Sequence, residues 1–247
     1  MFVNPILLVS NPFYQAYIQS DLLGKLIFLS LIFLSILSWI IILYKGWLTY
    51  QARFYAKDFD RQFQENKQNP LAIEYAETNR FNPFGKLYLV LKKNTAEILN
   101  KNRLFGKPKE EHSPSSTYLS PSDIDIVQSY LQSTIASQTK QLEKNLFLLA
   151  TVYSLGPFLG LLGTVWGILA TFGELQAHSG GNTSQMVLGG LSLALATTVL
   201  GLIDAIPALI GYNYLKSRTR DFETDMEGFA TEMLAAVEMR YRKVDVE

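Results

Sequence analysis

The sequence is poor in the residues from which most metal and redox sites are built. Its 247 residues include no cysteine, which excludes disulfides and cysteine-based zinc or redox sites. The two histidines, His112 and His178, are too few and too far apart for a histidine-based metal site, and we interpret both as solvated loop residues. No nucleophile–base pair or nucleotide-binding loop is visible. We therefore expect no metal, no cofactor and no classical enzyme.

The sequence also lacks an excess of charge of either sign. Lys and Arg number 22 and Asp and Glu number 22, so the formal net charge is zero and a nucleic-acid partner is not expected. Charges are scarce in three long apolar stretches, 26–44, 146–173 and 186–215, of which the last carries a single charge, Asp204. Because crossing a bilayer takes about 20 apolar residues, the sequence predicts three transmembrane helices.

The distribution of Lys and Arg predicts how these helices are oriented. Basic residues follow the first stretch, precede the second and follow the third, whereas the connection 173–185 has none. By the positive-inside rule the N-terminus is outside and the C-terminus cytoplasmic, which in a bacterium means the inner membrane. The predicted fold is an all-α integral membrane protein with three transmembrane helices and long cytoplasmic helical extensions. Its parts are an outer amphipathic segment (1–24), transmembrane helices (25–44, 146–173 and 186–215), a cytoplasmic helical domain (45–145, with a flexible loop at about 106–122), a periplasmic loop (174–185) and a cytoplasmic C-terminal helix (216–247).

Helical periodicity continues outside the apolar stretches. Asn-Pro pairs end the extension of the first span, and we predict a short helix over Leu71–Asn79 and another over Gly85–Asn102. Ser122–Asp123 is predicted to cap a further helix. With no proline to stop it, that helix is expected to run from Ile124 into the second span without interruption.

The second apolar stretch contains more glycine than a helix normally carries. Its segment GPFLGLLGTVWGILATF, residues 156–172, has four glycines, although glycine costs about 1 kcal/mol relative to alanine inside a helix. Their spacing puts them on one helix face, and the third stretch has a similar face of small residues. In a membrane, small residues allow close helix packing. The predicted packing positions are Gly156, Gly160, Gly163, Gly167 and Gly201, and two prolines inside the spans, Pro157 and Pro207, are predicted to shape the helices.

Threonines border both small-residue faces. Thr164 lies beside the glycines of the second span, and Thr197 and Thr198 lie along the third. By helical rise, Thr164 and Thr198 fall within roughly two turns of the bilayer centre. Two hydroxyls at similar depth favour a shared polar lining. The alternative is that each bonds only to the carbonyl of its own preceding turn.

Both core spans resemble a known family. SLGPFLGLLGTVWGIL and SLALATTVLGLIDAIPALIGYN resemble the second and third spans of the TolQ/ExbB/MotA proton-channel proteins, and LEKNLFLLATV and SILSWIIIL resemble the approach to the second span and the first span. Three spans favour the TolQ and ExbB branches over MotA, which has four. The GTVWGI form and the short outer segment favour a TolQ-type protein, whereas the cytoplasmic loop offers little to match.

The resemblance implies a mechanism. Members are homopentamers whose second and third spans line a central pore. That pore holds the single helices of two copies of a TolR- or ExbD-like partner, whose membrane aspartate carries the proton. Thr164 and Thr198 would face that aspartate, the glycines and prolines would line or shape the pore, and Trp166 would lie in the pore or at a subunit interface. The partner, with a TolA- or TonB-like protein, would then do work on the cell envelope, and the alternative is a non-conducting scaffold around the same partner.

The sequence departs from the family at one acidic position. Many members carry a glutamate five residues before the threonine at 198, where this chain has Leu193, and an acid occurs instead at Asp204. Eleven residues correspond to about 20° of net rotation, so the two positions share a helix face. Because acids inside membranes are commonly functional, we hypothesise that Asp204 is a relocated proton-path or gating acid. The alternative is a structural acid that is bonded to a neighbour or wetted from the cytoplasm.

Overall fold

The computed structural model describes residues 12–75, 81–105, 118–177 and 183–242. In these ranges the predicted all-α fold class is confirmed, and the ordered elements besides the helices amount to one isolated bridge between Leu119 and Arg242. Three helical stretches of the described chain are long and apolar enough to cross a membrane, namely Leu22–Glu65, Pro121–Gly173 and Val187–Tyr241. The helices are α1 (Pro12–Gln19), α2 (Leu22–Glu65), α3 (Pro83–Phe105), α4 (Pro121–Glu143), α5 (Leu146–Ala177) and α6 (Thr183–Tyr241).

The chain divides into two compact units. The membrane unit comprises residues 1–44 and 145–215, and the extension unit comprises residues 45–144 and 216–247. These divisions fall within one residue of the corresponding ends expected for the apolar spans. The long helices α2 and α6 contribute residues to both units.

The extension unit is held together by an aromatic core. Phe59 and Phe63 of α2 are buried against Phe229 of α6, and Phe84 at the start of α3 stacks on Phe229 with ring centroids 4.3 Å apart. Burying one such side chain contributes about 1.5–3 kcal/mol in water. This unit therefore has the kind of core that stabilises water-soluble helical proteins.

The membrane unit leaves many large apolar side chains on its surface. Phe33 of α2 and Phe158 of α5, for example, are each 65% exposed. Lipid tails solvate such side chains as well as a protein interior does, so their burial would add little in a bilayer. The helices of this unit must instead be held by close backbone packing and by polar contacts.

Helices α5 and α6 pack antiparallel, backbone against backbone. A β-carbon on Gly156 would lie 3.0 Å from the carbonyl oxygen of Gly201, and one on Gly201 would lie 2.5 Å from that of Gly156. Along the helices, a β-carbon on Gly160 would lie 3.0 Å from the Thr197 carbonyl oxygen and one on Gly167 would lie 3.0 Å from the Gly190 carbonyl oxygen. The glycines thus permit a separation that other residues would prevent.

Helices α2 and α6 of the membrane unit pack in parallel. A β-carbon on Gly24 would lie 2.9 Å from Leu193 Cδ2, and one on Gly211 would lie 2.7 Å from Ile42 Cγ1. Gly24 and Leu193 are as far apart in the sequence as Ile42 and Gly211. The register of α2 against α6 is therefore the same at both contacts.

The predicted continuous helix from Ile124 into the second span is wrong. Helix α4 ends at Glu143 and α5 begins at Leu146, because Asn145 adopts a φ of 70°, a left-handed conformation that asparagine tolerates better than most residues. The end of α4 is satisfied from α2, where the Lys45 Nζ donates to the carbonyl oxygens of Leu142 at 3.0 Å and Gln141 at 3.4 Å. Lys45 is only 4% exposed, so its charge is buried at the negative end of α4.

The predicted helix over Leu71–Asn79 is also wrong where the structure describes it, since 71–75 is not helical and 76–80 lies outside the described residues. The carbonyl oxygen of Ile73 instead accepts hydrogen bonds from Tyr88 Oη at 3.0 Å and Lys92 Nζ at 2.9 Å. Side chains of α3 thereby replace the bonds that a helix would supply.

Several predicted boundaries shift. The cap of α4 is Ser120 rather than Ser122, with Pro121 at the first helical position and Asp123 completing a capping box. The end predicted for the flexible loop at about 106–122 is therefore wrong, because α4 already begins at Pro121. Residues 106–117 of this loop lie outside the described ranges. The loop predicted at 174–185 is shorter, because α5 continues to Ala177 and α6 begins at Thr183. In the segment 1–24, α1 ends at Gln19 and α2 begins at Leu22, while residues 1–11 are not described.

Replacing Gly201 by alanine should weaken the membrane unit. The new methyl group would meet the Gly156 backbone, which cannot move aside as a side chain can, and overpacking of this kind typically costs about 1–3 kcal/mol. We expect Gly201→Ala to lower the thermal unfolding midpoint in detergent. The matched control is Gly173→Ala in α5, where a β-carbon meets nothing within 4 Å. Equal midpoints for the two variants would contradict the packing described here.

Replacing Lys45 by methionine should loosen the last turn of α4. The substitution keeps most of the side-chain length but leaves two carbonyl groups without their donor, a loss of about 1–3 kcal/mol. We expect amide hydrogen exchange near Glu143 to accelerate by about fivefold or more, since each 1.4 kcal/mol is a factor of ten. Exposed Lys57 on the same helix supplies the control, Lys57→Met, which should leave this exchange unchanged.

Candidate functional site

The candidate site lies in the membrane unit, along the part of α6 that contacts α2 and α5. Thr197 is the most deeply buried of its predicted residues, with 0% exposure. Its hydroxyl lies 2.9 Å from the Ala194 carbonyl oxygen and 3.2 Å from that of Leu193, and its side chain presses on Gly163. Because its one proton is engaged by the backbone, Thr197 acts here as a packing residue of the helix contact.

Thr198 and Thr164 occupy the edge of the α5–α6 contact rather than its interior. Both are half-buried. The Thr198 hydroxyl makes only long bonds, 3.3 Å to the Gly160 carbonyl oxygen and 3.4 Å to that of Ala194, whereas Thr164 donates at 2.7 Å to the Leu161 carbonyl oxygen. Thr164 follows Gly160 by one turn, or about 6 Å along α5. The structure therefore brings the two hydroxyls near each other in depth, with Thr198 the less firmly bonded.

Asp204 faces α2. It is 4% exposed, Ser35 is the side chain within hydrogen-bonding reach of its carboxylate, and its Oδ2 has no hydrogen-bond partner. The pairing follows from the α2–α6 register, which places Ser35 opposite Asp204 just as it places Gly24 opposite Leu193. The structure thus separates Asp204 from the threonines at the α5 edge and gives it a neighbour on a different helix.

Leu193, at the position where many family members have glutamate, is a packing residue here. It is buried in a small cluster with Ala16 of α1 and Ala196 of α6, and it touches Gly24. This position offers a carboxylate neither room nor a donor among the cluster residues. Leucine fits because the cluster in which it is buried is apolar.

The remaining predicted positions shape the same helices. Gly156, Gly160, Gly163, Gly167 and Gly201 are all buried between α5 and α6, and Pro157 and Pro207 lie inside these helices, half-buried. No three His, Asp or Glu side chains gather as metal ligands in the part of the chain that the structure describes, and His112 and His178 lie outside that part.

Two polar contacts at this site were not predicted from the sequence. One is the contact of Ser35 with Asp204, which depends on the α2–α6 register. The other joins α5 to the start of α2: Trp166 Nε1 donates to Asp21 Oδ2 at 2.8 Å, while Asp21 Oδ1 accepts from the Gly24 amide at 2.9 Å. A helix-capping Asp before an apolar run could have been recognised, but its tryptophan partner could not.

The described residues of this site can form hydrogen bonds, and they include no Lys or Arg side chain. A threonine hydroxyl donates one hydrogen bond and accepts others, so it can serve either protonation state of a carboxyl group. Oδ2 of Asp204 has no partner and the Thr198 hydroxyl makes only long hydrogen bonds, whereas the Thr164 proton is engaged by the Leu161 carbonyl oxygen.

Comparison with known proteins identifies relatives of this chain. Residues 101–228, just over half of the chain, match the MotA/TolQ/ExbB proton channel family. The Tol-Pal system protein TolQ of Haemophilus influenzae is 28% identical over 223 residues, which cover 89% of this chain and 91% of that protein. TolQ of Pseudomonas aeruginosa is 28% identical over 226 residues, covering 92% and 91%.

A shorter match with higher identity involves a second kind of relative. The biopolymer transport protein ExbB of Aquifex aeolicus is 47% identical over 92 residues, which cover 37% of this chain and 62% of that protein. The family match includes α4, α5 and most of α6, and so spans the glycine contact and the threonines. This membrane protein therefore belongs to the MotA/TolQ/ExbB proton channel family.

Proposed function

We propose that this chain is a TolQ/ExbB-like subunit of a proton channel in the bacterial inner membrane, with its N-terminus periplasmic and its C-terminus cytoplasmic. The observation that carries the proposal is the glycine-packed α5–α6 pair with Thr164 and Thr198 at its half-exposed edge. A TolQ-type role in Tol-Pal envelope maintenance is favoured over TonB-type transport, because two TolQ proteins match over about nine-tenths of both lengths. The ExbB of Pseudomonas putida also matches over 90% of this chain, but over only 62% of its own length.

The partner in this proposal is a TolR- or ExbD-like protein with one membrane helix and an aspartate in that helix. An aspartate costs about 2.5–3.5 kcal/mol at the centre of a span, a cost that nearby polar atoms reduce. Hydroxyls at the α5–α6 edge would donate to the charged aspartate and accept from its protonated form. A neutral lining is suited to this task because it does not hold the proton permanently.

The output in this proposal is movement rather than covalent chemistry. One charge that crosses 100 mV releases about 2.3 kcal/mol, so a few protons per cycle can drive a mechanical step. The partner, acting with a TolA- or TonB-like protein, would transmit that step to the cell envelope. The chain is accordingly proposed not to be an enzyme.

The assembly in this proposal is a homopentamer around the partner's helices. The α5 and α6 surfaces of one chain carry exposed apolar side chains, including Phe158, Leu161 and Ile206, which neighbouring copies or lipid can cover. Close-packed helix hairpins of this kind can repeat around an axis because the glycine contacts are satisfied within each copy.

A non-conducting scaffold is the second candidate. It is favoured by Leu193, since the acid that many family members carry at this position is absent and apolar packing takes its place. Proton flux through the purified complex separates the two candidates.

The mass of the complex purified from its native membrane tests the assembly. We expect five copies of this chain together with a small single-span protein that has a membrane aspartate, and mass spectrometry of the co-purifying chains would identify it. A monomer or dimer without such a protein would overturn the proposal.

Replacing Thr198 by valine should reduce proton flux in vesicles that contain the purified complex. Valine keeps the shape but removes a hydrogen bond worth about 1–3 kcal/mol when a charged group depends on it, which corresponds to a loss of about fivefold or more. Thr198→Ser should retain most of the flux. The measurement is the acidification of the vesicle interior under an imposed potential.

Thr151→Val is the matched control for this substitution. Thr151 lies on α5, is exposed, and bonds only to the Phe147 carbonyl oxygen of its own helix at 3.0 Å. Flux should be unaffected in this variant. A Thr198→Val complex that conducts as well as Thr151→Val would remove the threonine from the proton path.

A further inference from the structure

The Asp204 carboxylate is buried without the partners that an ionised group needs. A carboxylate has about four lone-pair sites, and here Ser35 is the side chain that reaches it while Oδ2 has no partner. The residue is 4% exposed. Buried polar atoms are nearly always hydrogen-bonded, so an orphaned oxygen at this depth calls for an explanation.

No cation in the described membrane unit can balance this charge. The ion pairs of the described chain all lie in the extension unit. In α2 the span opposite Asp204 is uncharged from Leu26 to Tyr44, and α5 is uncharged from Leu146 to Gly173. Lys25 precedes Ser35 by ten residues on α2, or about 15 Å along the helix.

The chemistry of the site fits a proton better than a metal ion. Ca²⁺ or Mg²⁺ takes about six or more oxygen ligands, whereas the side-chain oxygens here are those of Asp204 and Ser35. A proton needs one oxygen atom, and Oδ2 is available. With the proton bound, the carboxyl group would be neutral and would suit its apolar surroundings.

We propose that Asp204 and Ser35 form a proton-binding site inside each copy of the membrane unit, at the α2–α6 contact and apart from the threonines at the α5–α6 edge. The proton resides on Oδ2 and exchanges with solvent, while the Ser35 hydroxyl stays on the carboxyl group in both states. Asp204 and Thr198 are six residues apart, or about 9 Å along α6, and they lie on different sides of that helix.

This site deepens the proposed function. Only the use that the protein makes of the bound proton rests on that proposed function. Binding and exchange at Asp204 are properties of the carboxyl group itself. They can be measured with no flux and no identified downstream process.

Infrared difference spectroscopy tests the site directly. The complex purified from its native membrane is placed in lipid vesicles at neutral pH, and the spectrum of Asp204→Asn is subtracted from that of the unsubstituted chain. We expect a C=O stretching band of a protonated carboxylic acid, which carboxylates lack, and a shift of this band after transfer to D₂O. Ser35→Ala should move the band, since the carboxyl group loses a hydrogen bond.

The matched control is Asp225→Asn, which removes an exposed acid from the extension part of α6 and should leave the band in place. Should Asp204→Asn fail to assemble, Asp204→Glu replaces it, because a glutamic acid must give a band at a different frequency. Absence of the band would mean an ionised structural acid and would overturn the proposal. A band that does not shift in D₂O would mean a locked proton and would overturn it as well.

Proton flux through the same vesicles keeps the two proposals distinguishable. A band that shifts in D₂O without proton flux would contradict the proposed channel and support the proton-binding site. Proton flux without the band would support the channel and contradict the proton-binding site.

Discussion

The close approach of α5 and α6 is the constraint on which the rest of the membrane unit depends. Hydrocarbon gives apolar side chains no reason to leave it, so two helices gain most from backbone contact, which glycine permits. Gly156 and Gly201 meet through backbone atoms, and this fixes which side chains lie inside the contact and which lie at its edge. Thr197 is enclosed and engaged by the backbone, whereas Thr198, the next residue, remains half-exposed with only long hydrogen bonds.

The helices of the two units are held together by different interactions. In the extension unit, water drives Phe59, Phe84 and Phe229 together, and the large side chains fill the space between helices. In the membrane unit there is no such gap between α5 and α6, because their glycines allow the two backbones to touch. Helix α6 changes from one mode to the other along its length, and its sequence accordingly turns from small and apolar residues to the spaced Phe222 and Phe229.

Much of this could be predicted from the sequence where a periodic pattern carries the information. The apolar spans, the glycine face of α5 and the aromatic stripes repeat at helical spacing, so each is specified by many residues at once. Features set by a single residue or by tertiary partners could not be predicted. Asn145 breaks the helix through its own φ, the Ile73 carbonyl is held by α3 side chains, and Ser35 gains its neighbour only through the α2–α6 register.

The same distinction explains why, on one face of α6, position 193 holds a leucine and position 204 holds an acid. At Leu193 the face meets Ala16 of α1 and the backbone of Gly24, which Leu193 contacts closely. Three turns further along, the α2–α6 register presents Ser35, which can donate to a carboxylate, and Asp204 occupies the space. A glutamate at 193 would meet the apolar side chains of this cluster, whereas an acid at 204 meets Ser35. The location of the acid therefore follows from which residues α2 presents to α6, and Leu193, Gly24, Ser35 and Asp204 form one interdependent set.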